Sequence, residues 1–237
     1  MNTQASLQRA IEFLDNLFSK FGLSINATKT ETMIINFAEE VYQEFRYLGV
    51  CIRFDEPNTG DTEINQRIQM SQSKFAEMSS LLQNFSINLR TRVMFLNSFV
   101  RCRLCYACQN WNLTKLQSDR LDVTYRVFLR RMVRGGFRFR DEISGDYRYV
   151  ISNLQLHQIC GTSDLTLFVR SQQRNFAMHI VRMSLERCVK CLMFNDDKYV
   201  KRGRPTRSLL DQVIDNDNVS VDQMCNIALD KKLGRSR

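Results

Sequence analysis

The stretch TKLQSDRLDVTYRVFLRRMVRGG, residues 114–136, reads as one amphipathic helix. It begins near Thr114 and stops at Gly135-Gly136, because adjacent glycines carry too much backbone freedom to extend a helix. At about 100° per residue, Leu121, Tyr125, Phe128, Leu129 and Met132 fall in an arc of about 100°. Arg120, Arg126, Arg130, Arg131 and Arg134 fall on the other side, within an arc of about 140°. One face packs and the other presents five guanidinium groups. A guanidinium fork matches phosphate bidentately, so RNA, DNA or an RNA–DNA duplex is the expected partner.

The same period extends upstream. Val93, Leu96, Val100 and Leu104 form the inward stripe of a helix over residues 88–109, and Ile64, Ile68, Phe75, Met78 and Leu82 form another stripe before it. Ahead of these lies the turn-rich DEPNTGD, residues 55–61. The alternation over residues 46–54 then reads as a strand, and the β-prone run 32–37 as a second. Leu7, Ile11, Leu14, Phe18 and Phe21 mark a first helix that stops at Gly22. Downstream, FRFRDEISGDYRY (residues 137–149) reads as a basic, aromatic connector, followed by helices near 153–161 and 166–192 and a helical tail from residue 208. Two prolines and nine glycines in 237 residues favour long helices. The expected class is mainly α (α+β): a short β-hairpin region over 1–60, a helical region over 61–136, and a further helical region with a basic tail over 137–237.

Charge is unevenly placed within the net +9. Residues 1–89 carry 7 Lys/Arg against 11 Asp/Glu, whereas residues 90–148 carry 13 against 5. The basic block starts abruptly at Arg90, which favours a polyanionic partner. The N-terminus mixes charged and apolar residues and is no signal peptide, and no apolar run is long enough for a membrane span. An intracellular location, nucleus or cytoplasm, is therefore expected, with the eight cysteines as reduced thiols.

Two segments now carry a resemblance. FGLSINATKTETMIINF (residues 21–37) contains Gly22-Leu23, Asn26 and Lys29-Thr30, and FRYLGVCIRF (residues 45–54) contains Phe45, Tyr47, Leu48 and Gly49. Next come Glu63, Ile64, Arg67 and Ile68, then Leu104, Tyr106 and Trp111, then Leu129, Arg130 and Arg131. His179, Arg182 and Met183 follow, with Gly203, Arg204 and Pro205 last. In this order the motifs resemble the C-terminal part of the reverse transcriptases of LINE-type, non-LTR retrotransposons, and the likeness covers nearly the whole chain. The resemblance implies the end of an RNA-directed DNA polymerase palm, a thumb over 61–135 that clasps template–primer, and a post-thumb region. It places Lys29 near nucleotide phosphates, and makes Phe45, Tyr47, Leu48 and Gly49 a primer grip. In the complete enzyme, two Mg²⁺ ions would be held by carboxylates N-terminal to Gly22, on one strand and on a Tyr-Ala-Asp-Asp hairpin. Residues 1–21 contain no such hairpin, and Phe194-Asn195-Asp196-Asp197 comes too late in the order. The expectation is thus a part that holds template–primer without a catalytic centre and without a cofactor of its own.

Three further signals point elsewhere. Cys102, Cys105 and Cys108 spread over a helix and read as packing. His157-x-x-Cys160 and Cys188-x-x-Cys191 have ligand-like spacing, and zinc would need the helices that carry them to pack together. KRGRP (residues 201–205) resembles an AT-hook core, in which Arg202 and Arg204 would enter an A·T minor groove. That segment supports the alternative of a non-enzymatic DNA-binding or interaction module derived from a retroelement.

Overall fold

The computed structural model describes residues 3–30, 44–53, 59–134, 136–142, 145–184, 186–194, 210–211, 213–214 and 220–230. The chain is mainly helical and divides into two compact units, residues 1–57 and 58–237. Among the described residues no helix is long and apolar enough to cross a membrane.

The first unit opens with α1, Thr3–Ser19. Most of the expected apolar stripe nonetheless stays open to solvent: Leu7 is 40% exposed and Leu14 41%. After Gly22, in the left-handed region at φ 72°, Asn26 builds a tight turn. Its side-chain oxygen accepts from the Thr28 amide at 3.1 Å, and the Thr30 hydroxyl donates to its carbonyl at 2.8 Å. Asp15 accepts from the Ile25 amide at 3.4 Å and ties α1 to this turn.

Residues 46–54 do not form the single strand that their alternation suggested. Residues 44–53 form a hairpin of β1, Glu44–Tyr47, and β2, Val50–Arg53, folded at Leu48-Gly49. Both turn residues sit at positive φ, 49° and 79°, as a two-residue type I′ turn requires. The register pairs Phe45 with Ile52 and Tyr47 with Val50, apolar against apolar, while Arg46 meets Cys51 and Glu44 meets Arg53. Reading straight through the turn would put Tyr47 and Val50 on opposite faces. The run 32–37 lies outside the described residues.

The second unit begins with α2, Thr59–Glu77, and a short α3, Ser79–Leu82, so the stripe from Ile64 to Leu82 is interrupted at Met78. The expected helix over 88–109 starts as α4, Leu89–Phe95. It widens into a π-helical turn over Leu96–Arg101 and ends in one turn, α5, Cys102–Leu104. Val93, Leu96, Val100 and Leu104 all point inward. α6, Lys115–Met132, follows. The basic connector is itself a hairpin, β3 (Arg138–Arg140) with β4 (Tyr147–Tyr149). Then come α7, Asn153–Cys160, and α8, Leu165–Val181. The helix expected over 166–192 is broken after Val181, and α9 covers Cys188–Phe194. Lys190 donates to the carbonyls of Val181 and Met183 at 2.7 and 2.9 Å, which closes the end of α8. α10 spans Val221–Leu229, and Arg182 holds its terminal Ala228 carbonyl at 3.1 Å.

Apolar residues on both sides of residue 136 share one core. Ile64, Phe75, Leu96, Leu121, Phe128 and Leu156 are all buried in it, and Phe75 stacks on Phe128 at 4.9 Å. The Tyr125 hydroxyl reaches the Asn97 side chain at 2.8 Å, and burial pushes this phenol up to about 12. A second cluster gathers Ala177, Met178, Val181, Val213, Met224 and Ala228. α8 supplies Leu165 and Val169 to the first core and its C-terminal half to the second.

Gly136 fixes where the chain leaves α6. A Cβ there would lie 2.1 Å from the Arg130 carbonyl oxygen, so only glycine allows the chain to double back against the helix end. Gly136→Ala should therefore lower unfolding free energy in urea by roughly 3 kcal/mol, since backbone must move. Gly145→Ala, at φ 72° with open space around it, should cost only about 1 kcal/mol. Equal losses would show that the close approach is not a constraint.

Candidate nucleic-acid interface

The candidate interface is built on α6. Its N-terminus is set by a capping box: the Thr114 hydroxyl accepts from the Gln117 amide, and the Gln117 side chain accepts from the Thr114 amide at 2.8 Å. The buried Gln117 also donates to Asp61 at 2.7 Å, which fixes α6 against the start of α2. At the other end the Met132 carbonyl accepts from Arg92 at 2.7 Å. Both ends of the arginine-bearing helix are thus pinned by side chains of other segments.

The five arginines then divide by what packs on them. Arg120 bonds the Asn65 side chain and lies 3.9 Å from Asp61. Arg126 pairs with Asp164 at 2.7 Å, and the same Asp164 oxygen contacts His157 Nε2 at 3.0 Å. Asp164 is the N-cap residue of α8 but its side chain makes no capping bond. Asp122 of α6 caps in its place, accepting from the Thr166 amide and hydroxyl, both at 2.8 Å. Arg130 is only 6% exposed. It donates to the Ile151 carbonyl and to Asn153, each at 2.7 Å, and its guanidinium lies 3.7 Å from the Tyr149 ring centre. Burial lowers its pKa, Tyr149 opposes that, and Arg126 and Arg138 add to the lowering. Holding several cations this close costs free energy, so Arg130 serves the fold by tying α6 to the second hairpin and to α7.

Arg131 and Arg134, one turn further on, are exposed. Arg131 leans over Phe75 at 5.8 Å and Arg134 over Phe85 at 5.1 Å. Arg138, at the base of the second hairpin, is exposed and lies 4.7 Å from the Tyr149 ring centre. None of these three has a carboxylate partner among the described residues. Arg148, further along, is paired with Asp141 at 3.2 Å. Of the α6 arginines, Arg120, Arg126 and Arg130 are thus engaged with neighbouring elements, and Arg131 is left open at the C-terminal end, followed in the chain by Arg134 and Arg138. The face of five expected from the projection is open only there, because the projection counts angles and not the α7 and α8 ends that land on the same arc.

The remaining expected residues lie elsewhere. Lys29 ends the turn built by Asn26, and Phe45, Tyr47, Leu48 and Gly49 form the first hairpin and its turn, in the separate first unit. Arg202 and Arg204 fall outside the described residues. His157, Cys160, Cys188 and Cys191 are not brought together: both nitrogens of His157 are engaged, by Thr162 at 3.1 Å and by Asp164, and Cys160 packs into the core. Burial pushes the Cys160 thiol up to about 11. Among the described residues no three His, Cys, Asp or Glu side chains are placed to hold a metal ion. Cys105 and Cys108 are buried as packing residues, whereas Cys102 is exposed.

Sequence reasoning passed over Arg92. It is 4% exposed, with Nε donating to the Ile87 carbonyl at 3.0 Å and Nη1 to the carbonyls of Leu82 and Met132. The signal was its position four residues before Leu96, on the buried stripe, where a charge is unexpected. Arg92→Met would leave three carbonyls without their donor and should cost about 3–5 kcal/mol in urea unfolding, against about 0.5 kcal/mol or less for Arg131→Met. Similar losses for the two would contradict this division of roles. Comparison with protein-family models, curated proteins and solved structures finds no match to this chain.

Proposed function

We propose that this chain is the C-terminal part of a LINE-type reverse transcriptase and that its helical unit grips the phosphate backbone of a template–primer duplex. The observation that carries the reading is the cluster of Arg131, Arg134 and Arg138, exposed and without carboxylates among the described residues. Elsewhere in the unit, Arg67, Arg126 and Arg148 are each matched to an acid. Unneutralised guanidinium groups gathered in the segment from the last turn of α6 to the second hairpin repel one another, and a polyanion relieves that repulsion while releasing its own counterions. The order of the sequence motifs supports the choice of a duplex held by a polymerase thumb over polyanions in general.

Several motif residues have structural work in this unit that suits a rigid clamp. Glu63 and Arg67 form a buried ion pair at 2.5 Å within α2, and the Arg67 guanidinium lies 4.6 Å from the Tyr106 ring centre. The Trp111 carbonyl accepts from Gln173 of α8 at 2.7 Å. These contacts tie α2 and α8 to the segment between α5 and α6.

Duplex binding should weaken with salt with a log–log slope of about −3, one phosphate for each arginine of this cluster. Removing Arg131 or Arg138 as alanine should reduce the slope by about 0.9 each. Arg126→Ala, which removes an arginine already paired with Asp164, should leave the slope unchanged. Fluorescence anisotropy with an RNA–DNA duplex between about 50 and 200 mM salt reads this directly. A slope that survives loss of the open arginines and falls with Arg126 would overturn the assignment.

A further inference from the structure

Phe85, Ile87, Arg92, Met132 and Arg134 line a groove of about 400 Å³ between the α3–α4 turn and the end of α6. Its floor is a buried cation whose donors are incompletely used. A guanidinium has five N–H groups. In Arg92, Nε serves Ile87 and Nη1 serves Leu82 and Met132, which accounts for three. Nη2 has no acceptor among the described residues, and it is not sealed from solvent, since the one buried unpartnered side-chain polar atom there is Trp111 Nε1. Arg134 lines the same groove without a carboxylate among the described residues. The guanidinium carbons of Arg92 and Arg134 lie over the same ring, each 5.1 Å from the centre of Phe85.

Two cations sharing one aromatic ring form an arrangement that lacks its anion. Lone pairs of three carbonyls partly balance Arg92, but no carboxylate among the described residues balances the pair. The electrostatic surroundings agree: burial lowers the Arg92 pKa first, the Cys160 thiol raises it, and Arg134 lowers it further, with no carboxylate contributing. We propose that the groove between Arg92 and Arg134 is a phosphate-binding site, with Nη2 of the buried Arg92 as its fixed donor and Arg134 as its mobile one. A tetrahedral dianion suits this geometry, because each guanidinium can offer N–H pairs to separate oxygens. The side of Phe85 limits the ligand on one flank. The proposal deepens the proposed function by naming one phosphate contact, and it rests on that reading only for the source of the phosphate, a nucleic-acid backbone or a free phosphate group.

The test is arginine side-chain NMR of the full chain during titration with inorganic phosphate, against chloride at matched ionic strength. Arg92 and Arg134 Nε–H signals should shift saturably with phosphate and stay still with chloride. Arg134→Ala, which removes no hydrogen bond within the described residues, should weaken phosphate binding at least tenfold and abolish the Arg92 shift in a protein that remains folded. Equal responses to phosphate and chloride, or unchanged affinity in Arg134→Ala, would overturn the site. A second arm adds an RNA–DNA duplex without terminal phosphates. Competition with inorganic phosphate at the same two signals identifies the source as backbone phosphate. Phosphate binding without competition upholds the site and assigns it to a free phosphate group. Duplex binding that leaves Arg92 and Arg134 unmoved, with no response to phosphate, removes the site while leaving the proposed function standing.

Discussion

Arg92 sits inside the helical unit without a carboxylate, among carbonyls of the Leu82, Ile87 and Met132 peptides. Two of these belong to the C-terminal ends of α3 and α6, where the last carbonyls lack intrahelical donors and carry the negative end of the helix dipole. A cation buried at that junction satisfies groups that would otherwise demand water in the interior. It also sets where α6 ends relative to the α3–α4 turn. The direction in which Arg131 and Arg134 project depends on that end point, as does the abrupt exit at Gly136 against the Arg130 carbonyl.

Around this junction the arginines of the unit take on two kinds of work. Arg126 and Arg130 join α6 to the start of α8, to α7 and to the second hairpin, through Asp164, Ile151 and Asn153. A cation used so is desolvated and directed, and an external phosphate would have to displace its partners. Arg131, Arg134 and Arg138 keep their charge open to solvent. The two kinds are coupled, because burying the first kind is what holds the second kind close together. Affinity for a polyanion then resides in the arrangement rather than in the total of +9.

Much of the helical unit was legible in sequence because helical periodicity is local. The inward stripe from Val93 to Leu104, the apolar arc of α6 and its start at Thr114 all follow from residues within a few turns of one another, whereas the helix ends at Met132, short of the stop expected at the double glycine. Long-range partners were not legible. No local pattern announces that Asp122 caps α8, or that the α7 and α8 ends cover the arc holding Arg126 and Arg130. The first hairpin was misread for a similar reason. Its alternation runs through Leu48-Gly49 without a break, and the turn shows only in the positive φ of both residues. The second hairpin, with three-residue strands lying almost wholly in solvent, carries no apolar period that could distinguish it from a connector. Arg92 was hidden by its own charge, which argued for a surface position on an otherwise buried stripe.

The division of arginines into holding and gripping sets is tested most directly by arginine side-chain hydrogen exchange, measured with and without an RNA–DNA duplex. In the free protein the Nε protons of Arg92 and Arg126 should exchange slowly, and those of Arg131 and Arg138 at the rate of free arginine. Duplex should slow Arg131 and Arg138 and leave Arg126 as it was. Fast exchange at Arg92 and Arg126 in the free protein, or protection by duplex that begins at Arg126 and spares Arg131 and Arg138, would contradict the account.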